Sequence, residues 1–188
     1  LVMGGDQVYP VPNAAEYENR MLGPYRAALP CALEENPELF AIPGSHDWYD
    51  GLANFTSIFC RNQWIGGWRT RQRRSYFAVK LPNGWWLWGI DIQFGPYLDE
   101  AQLQYFTNVA PDQVQPGDRI ILCMAKEVES GRKQEEIHSD RDVEYLEREI
   151  IQPSGAQLVL YLKSGRHHYA RYEEKEGFRQ HITSGGGG

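Results

Sequence analysis

Carboxylate and imidazole side chains gather in four loops of this sequence, each of which follows a short apolar run. The loops are GGDQVYP (4–10), PGSHDWYDG (43–51), AKEVESG (125–131) and KSGRHHY (163–169). Oxygen and nitrogen donors of these kinds bind divalent ions such as Mn, Fe and Zn. Two such ions about 4 Å apart can activate a water molecule and hold a phosphoryl oxygen. The four loops therefore predict a site for one or two metal ions.

Each motif also has an ordinary structural interpretation when it is taken alone. A Gly-Asp pair after a strand is most often a turn, and a His-Asp pair in a loop is most often hydrogen-bonded locally. Adjacent histidines near a strand end are often structural. Three of the five histidines nevertheless fall in two of the four loops. The order of the motifs along the chain, rather than any one of them, has to support a functional interpretation.

Strands and helices that would position these loops can be read from the hydrophobic pattern. Continuous apolar runs predict buried strands at 1–3, 39–42, 120–124 and 158–162. Helical patterns lie between them, at 14–29, 99–109 and 139–151. Two antiparallel hairpins are expected, one over 74–92 turning at Pro82-Asn83-Gly84 and one over 168–183 turning at Glu176-Gly177. Together they predict an α/β fold with mixed sheets, whose functional loops follow the carboxyl ends of the strands.

Composition limits the classes of partner. The chain has 188 residues and a net charge of −6 at pH 7, which fits one domain without the basic surface that nucleic acid requires. No apolar run approaches the roughly 20 residues that span a bilayer. We therefore expect a single domain over 1–188, no nucleic-acid partner and no membrane segment in this stretch. Both ends look cut, as if the chain were a segment of a longer protein.

Cysteine usage argues against a disulfide framework. Cys31, Cys60 and Cys123 are an odd number and form no Cys-x-x-Cys motif. They are expected to be reduced residues of the core. A reduced state favours the cytoplasm, although it does not determine the compartment.

The motif series resembles that of the calcineurin-like metallophosphoesterases. That family carries D-x-H, then G-D, then G-N-H-D/E, then a lone histidine, then G-H-x-H, and this chain carries GGDQVY, IPGSHDWYDG and GRHHY in the same order. The resemblance implies a sandwich of mixed β-sheets flanked by helices. It also implies that Asp6 bridges two metals, that His46 contacts phosphate and acts as an acid, that Asp47 orients His46, and that His167 binds the first metal.

Several positions depart from the family pattern. D-x-H is absent, Ser45 replaces an asparagine ligand and is a weaker metal ligand, and the lone histidine is missing from LCMAKEVES. Gly165 stands where the first histidine of G-H-x-H is expected. These losses fall mainly on the second metal, so occupancy by one or two ions stays open. Lys126 and Arg166 could bind phosphate in its place, since arginine matches phosphate oxygens with a planar fork, or could point into solvent.

The sequence is compatible with two functions. The first is hydrolysis of a phosphate ester by metal-activated water, with Mn, Fe or Zn as the metal. The alternative is a catalytically degenerate module of the same fold that binds a phosphorylated ligand or a protein partner. The sequence does not determine the substrate, a preference for monoesters or diesters, or the oligomeric state.

Overall fold

Two mixed β-sheets form the centre of the molecule in a computed structural model of the chain. The structure describes residues 1–31, 34–92, 98–125, 143–164, 167–174 and 179–185. The smaller sheet contains β1 (Val2–Met3), β2 (Glu38–Ala41), β3 (Trp64–Ile65) and β4 (Trp68–Thr70), in the order β1-β2-β4-β3. Strand β2 is parallel to both β1 and β4, whereas β3 and β4 form an antiparallel pair. The loops after β1 and β2 therefore leave the same end of this sheet.

The larger sheet has six strands in the described part of the chain. They are β5 (Phe77–Leu81), β6 (Trp85–Ile90), β7 (Arg119–Ala125), β8 (Gln157–Ser164), β9 (Tyr169–Glu173) and β10 (Gln180–Ser184), in the order β5-β6-β7-β8-β10-β9. The inner strands β6, β7, β8 and β10 are parallel, and the outer two are antiparallel to their neighbours. The apolar composition of β7 and β8 agrees with their central positions.

Both predicted hairpins are confirmed. The first pairs β5 with β6 across a 3-10 turn at Pro82–Gly84, where Asn83 has a φ of 61°. The second pairs β9 with β10. Its predicted turn at Glu176-Gly177 lies outside the described residues. The four predicted buried strands correspond to β1, β2, β7 and β8, with ends that differ by up to a few residues.

Helices cover the outer faces of the sheets. The predicted helix at 14–29 consists of α1 (Ala14–Tyr17), a π-helical turn at Glu18–Leu22 and α2 (Gly23–Ala28). Helix α3 (Ala53–Phe59) was not predicted, and α4 (Glu100–Gln113) runs beyond the predicted 99–109. The last predicted helix is described from residue 143, over 143–146 and a π-helical turn at Glu147–Ile151. Asn13 and Asp99 cap α1 and α4 by accepting backbone N–H bonds.

Apolar clusters connect these layers. One cluster contains Tyr17, Met21, Leu39 and Phe55, so the first helices and α3 pack on the smaller sheet. A second packs α4 and residues 143–151 on the larger sheet, with Trp88 stacked on Phe106 at 4.8 Å. A third joins residues of both sheets: Ile42, Phe77, Cys123 and Ala125, with Phe40, Ile121 and others around them. The chain is thus an α/β protein with two mixed sheets flanked by helices, as its sequence predicts.

The cysteines are free thiols but do not all lie in the core. Cys123 is buried and Cys60 is partly buried, whereas Cys31 is exposed. The expectation of core burial is therefore wrong for Cys31, which follows the end of α2 at the surface. Burial raises the pKa of Cys60 to about 11 and that of Cys123 to about 12.

In the part of the chain that the structure describes, no helix has both the length and the apolar character needed to cross a bilayer.

Candidate metal and phosphate site

The loop after β2 folds back as a tight turn. Residues His46–Asp50 form a short 3-10 helix that ends at Gly51, whose φ of 68° is left-handed. Ser45 begins this turn in a helical backbone conformation and does not cap it with its side chain. The turn projects successive side chains in different directions, so His46 is half-buried while Asp47 is fully buried.

The Asp47 carboxylate connects three segments. Its Oδ1 accepts a hydrogen bond from the Tyr17 hydroxyl at 2.6 Å. Its Oδ2 accepts backbone N–H bonds from Asp6 and Gly44, both at 2.8 Å. Asp47 has no solvent exposure, and the three donors replace the water that it loses on burial. This carboxylate therefore holds helix α1, the loop after β1 and the loop after β2 in one arrangement, which we call the Asp47 clasp.

Electrostatics in the clasp are dominated by burial. Burial raises the pKa of Asp47 to about 6, while the hydrogen bonds from Tyr17 and the Gly44 N–H oppose that rise. Burial, and then the negative charge of Asp47, raises the pKa of Tyr17 well above its usual value. The Tyr17 hydroxyl thus keeps its proton and remains the donor of the pair.

Asp6 both donates a hydrogen bond to the His46–Asp47 turn and accepts one from it. Its Oδ1 accepts the backbone N–H of His46 at 2.8 Å, while its own N–H donates to Asp47. Asp6 has a left-handed φ of 52°, a conformation that aspartate tolerates better than most residues. The two loops are therefore bonded reciprocally, and the Asp6 carboxylate is fixed beside the His46 turn.

Gly44 is required for this close approach. A Cβ atom built at Gly44 would lie 2.5 Å from Asp6 Cγ and 2.5 Å from the Asp6 backbone nitrogen, and it would also overlap Asp6 Oδ1. We expect Gly44→Ala to lower the free energy of unfolding by about 2 kcal/mol, because the Asp6 carboxylate and backbone have to move. Chemical denaturation measures the effect.

Gly51→Ala is the matched control for that substitution. Gly51 has a left-handed φ, but a Cβ there meets no atom within 4 Å. Its alanine variant should lose about 1 kcal/mol, from backbone strain alone. An equal loss of stability in the two variants would contradict the role assigned to Gly44.

The His46 ring is held by neighbours other than Asp47. Its Nδ1 lies 3.2 Å from the carbonyl oxygen of Pro10, and its ring contacts Tyr9 and Tyr49 edge to face at 4.7 and 4.8 Å. A carbonyl oxygen only accepts hydrogen bonds, so Nδ1 carries a hydrogen and Nε2 is left for chemistry. The expectation that Asp47 orients this ring differs from the structure, because both Asp47 oxygens serve the clasp.

Asp6 and His167 line one cavity. It has a volume of about 430 Å³ and lies between β1 and the ends of β8 and β10. Ser164 also lines it and hydrogen-bonds the carbonyl oxygen of Gly4, which connects β8 to the loop after β1. Arg20, from the π-helical turn, also lines the cavity, and its guanidinium is ion-paired with Glu16 one turn earlier. Two of the sequence-predicted metal ligands thus line one cavity, next to an arginine whose charge is paired.

Two side chains of the cavity are donors of the kinds that divalent ions accept. They are the Asp6 carboxylate and the exposed His167 imidazole, and Mn, Fe and Zn accept both kinds of donor. Among the described residues, however, no group of three or more His, Cys, Asp or Glu side chains is close enough to hold an ion. Further ligands would have to be water molecules or groups outside these residues. Lys126 and Arg166, the predicted phosphate-binding residues, lie outside the described residues.

Sequence reasoning missed the contributions of the first helical segment. Tyr17 supplies the hydroxyl of the clasp and Arg20 faces the cavity. Tyr17 and Met21 are four residues apart, so both look like members of a core stripe, and nothing local distinguishes the one that bonds a carboxylate. The single available signal was a polar hydroxyl at a buried helical position, which normally needs a partner.

Comparisons with known proteins give a likeness in fold. No family model matches the sequence, and no curated protein matches it. Among solved structures, the chain is similar to GAP50, described as the anchor in the inner membrane complex of Plasmodium, with a TM-score of 0.61 and 14% identity. The match covers 98% of this chain, which spans 60% of the length of that protein. At this identity the likeness shows a shared fold alone.

Proposed function

We propose that this chain is a calcineurin-like metallophosphoesterase domain that hydrolyses a phosphate ester by metal-activated water. The observation that carries the proposal is the reciprocal bonding between Asp6 and the His46–Asp47 turn, which fixes a candidate metal ligand there: the Asp6 N–H donates to Asp47, and the Asp6 carboxylate accepts the N–H of His46. Asp6 in turn shares its cavity with His167. The motif order of the sequence and the two mixed sheets flanked by helices support the same family.

In this proposal Asp6 and His167 would hold a divalent ion, with Mn, Fe or Zn as the candidates. The ion would supply Lewis acidity and a lowered pKa for water. Arg20, which lines the cavity and is ion-paired with Glu16, would contribute guanidinium N–H donors to phosphate oxygens. Lys126 and Arg166 stay predictions for the same role.

His46 would handle the proton of the leaving group. With Nδ1–H directed at the Pro10 carbonyl, a protonated ring carries its second hydrogen on Nε2. As water oxygen bonds to phosphorus and the ester P–O bond breaks, the electron pair stays on the leaving oxygen. His46 Nε2 donates its proton to that oxygen, which leaves as an alcohol. One proton of the attacking water is released to solvent, and the ring then takes up a proton from solvent for the next turnover. Tyr9 and Tyr49 keep the ring in position through their edge-to-face contacts.

A catalytically degenerate module is the second candidate function. The absence of a three-ligand group among the described residues favours it, as does Ser45 in place of a better metal ligand. The similar GAP50 structure is described as an anchor, which agrees with a binding role for a protein of this fold. Such a module would bind a phosphorylated ligand or a protein partner without turnover.

Metal content and turnover together distinguish the two functions. We expect at least one equivalent of Mn, Fe or Zn by elemental analysis of the purified protein, and hydrolysis of p-nitrophenyl phosphate. His167→Ala should lower both, whereas His168→Ala should lower neither, because the exposed neighbour of His167 has no place in the proposed site. Less than one ion per chain together with no turnover would reject the phosphoesterase and favour the module.

A further inference from the structure

Two exposed tyrosines surround the proposed acid. Tyr9 and Tyr49 each have an exposure of 60%, among the highest of the large hydrophobic residues in the described chain. They come from different loops, Tyr9 after β1 and Tyr49 after β2. Both nevertheless contact the same imidazole, at ring-centroid distances of 4.7 and 4.8 Å. We call His46 and these two rings the tyrosine pair site.

Core packing does not explain the tyrosines. Their chain neighbours Val8 and Trp48 pack into the cluster beneath the smaller sheet, and Val8 is only 2% exposed. The backbone thus directs one side chain inward and the adjacent tyrosine outward in both loops. Large aromatic rings exposed next to one another around a polar side chain form a patch of the kind that is typical of binding surfaces. The geometry therefore assigns the tyrosines to a ligand rather than to the fold.

The position of His46 indicates which part of a bound ligand Tyr9 and Tyr49 would contact. Nδ1 is occupied by the Pro10 carbonyl, so a proton leaves the ring from Nε2. The oxygen that receives this proton belongs to the leaving group, and the remainder of that group has to extend past His46. Tyr9 and Tyr49 are the two rings that contact the His46 imidazole. They are therefore placed to contact the body of the leaving group rather than the phosphate.

We propose that the tyrosine pair site selects phosphate esters of aromatic alcohols, such as phenol-like or heteroaromatic rings. This inference rests on the proposed function and narrows its substrate class. Aromatic rings prefer edge-to-face or offset contacts with one another, because the edge of one ring is positive and the face of the other is negative. A saturated ring of similar size buries comparable area without that electrostatic match. The discrimination therefore depends on the aromatic character of the ligand and not on its bulk.

Equilibrium binding of two non-hydrolysable probes tests this inference independently of turnover. Benzylphosphonate replaces the ester oxygen of phenyl phosphate by a methylene, and cyclohexylmethylphosphonate is its saturated counterpart. With manganese present, calorimetry should show benzylphosphonate binding about three- to tenfold more tightly. The double variant Tyr9→Leu/Tyr49→Leu should bring this ratio close to one. Tyr9→Phe/Tyr49→Phe should preserve it, because the rings remain.

Tyr145→Leu is the matched control, since Tyr145 is also exposed but lies on the helical segment that covers the larger sheet. It should leave the ratio unchanged, and thermal unfolding of all variants checks that they fold. Equal binding of the two probes to the wild-type protein, or a ratio that survives the double leucine variant, would overturn the inference alone. Binding of neither phosphonate would overturn the proposed function as well.

Discussion

Asp47→Ala is expected to lower the free energy of unfolding by about 3 kcal/mol or more. The substitution removes the acceptor of three hydrogen bonds, from Tyr17, Asp6 and Gly44, in a position without solvent exposure. A buried donor that loses its partner costs about 1–3 kcal/mol, and the three donors here lose theirs together. Urea denaturation at neutral pH measures the change.

Two comparisons make this prediction specific to the clasp. Tyr17→Phe removes one of the three donors and should cost about 1–2 kcal/mol. Asp50→Ala removes a carboxylate from the same turn, where it accepts N–H bonds from Ala53 and Asn54 at the start of α3, and should cost about 1 kcal/mol. If Asp47→Ala were no more destabilising than Asp50→Ala, the carboxylate would not hold the loops together.

His46→Gln is expected to reduce kcat by about 10²- to 10⁴-fold for phenyl phosphate, because proton donation to the leaving oxygen is lost. The effect should be much smaller for p-nitrophenyl phosphate, whose leaving group departs readily without a proton. Steady-state kinetics with the two substrates measures the difference. Stability should change little, since the half-buried ring makes only one hydrogen bond to the described residues, with Pro10.

His168→Gln serves as the control for the histidine substitution, because His168 is exposed and has no place in the proposed mechanism. It should leave kcat for both substrates unchanged. An equal loss with both substrates in His46→Gln would argue against an acid and for a role in binding the phosphate.

The sequence predicted the framework of the site well. Apolar runs located β1, β2, β7 and β8, and parallel pairing of β1 with β2 does place the Asp6 and His46 loops at the same end of the smaller sheet. This success has a physical basis, since strands buried on both faces need uninterrupted apolar residues. The position of the loops then follows from the direction of the strands.

Contacts between distant segments could not be predicted in the same way. The Tyr17–Asp47 bond joins positions 30 apart, and no local pattern specifies it. Strands β3 and β4 have two and three residues, too few to show a periodicity. Gln72 is 5% exposed because its side-chain amide bonds both the N–H and the carbonyl of Ala41. Its sequence context, among four arginines, gives no sign of burial.

The hydrogen bonds of the Asp47 clasp weaken the inference from a His-Asp pair in the sequence to catalysis. A retained His-Asp pair at His46 and Asp47 looks like a remnant of catalysis if the acid orients the histidine. In the structure Asp47 instead bonds Tyr17 and two backbone N–H groups, so the fold needs it with or without chemistry. An enzyme and an inactive module would therefore both keep this aspartate. Evidence for activity has to come from His46, His167 and the metal.

The different burial of the three thiols has a practical consequence for spectroscopy. Thiol reagents attack the thiolate, and the raised pKa values of Cys60 and Cys123 keep both protonated at neutral pH. Cys31 is exposed at the end of α2. A maleimide dye should therefore attach at this one position of the unaltered chain. Energy transfer from the six tryptophans to such a dye would report the approach of the first helical segment to both sheets during refolding, without any engineered cysteine.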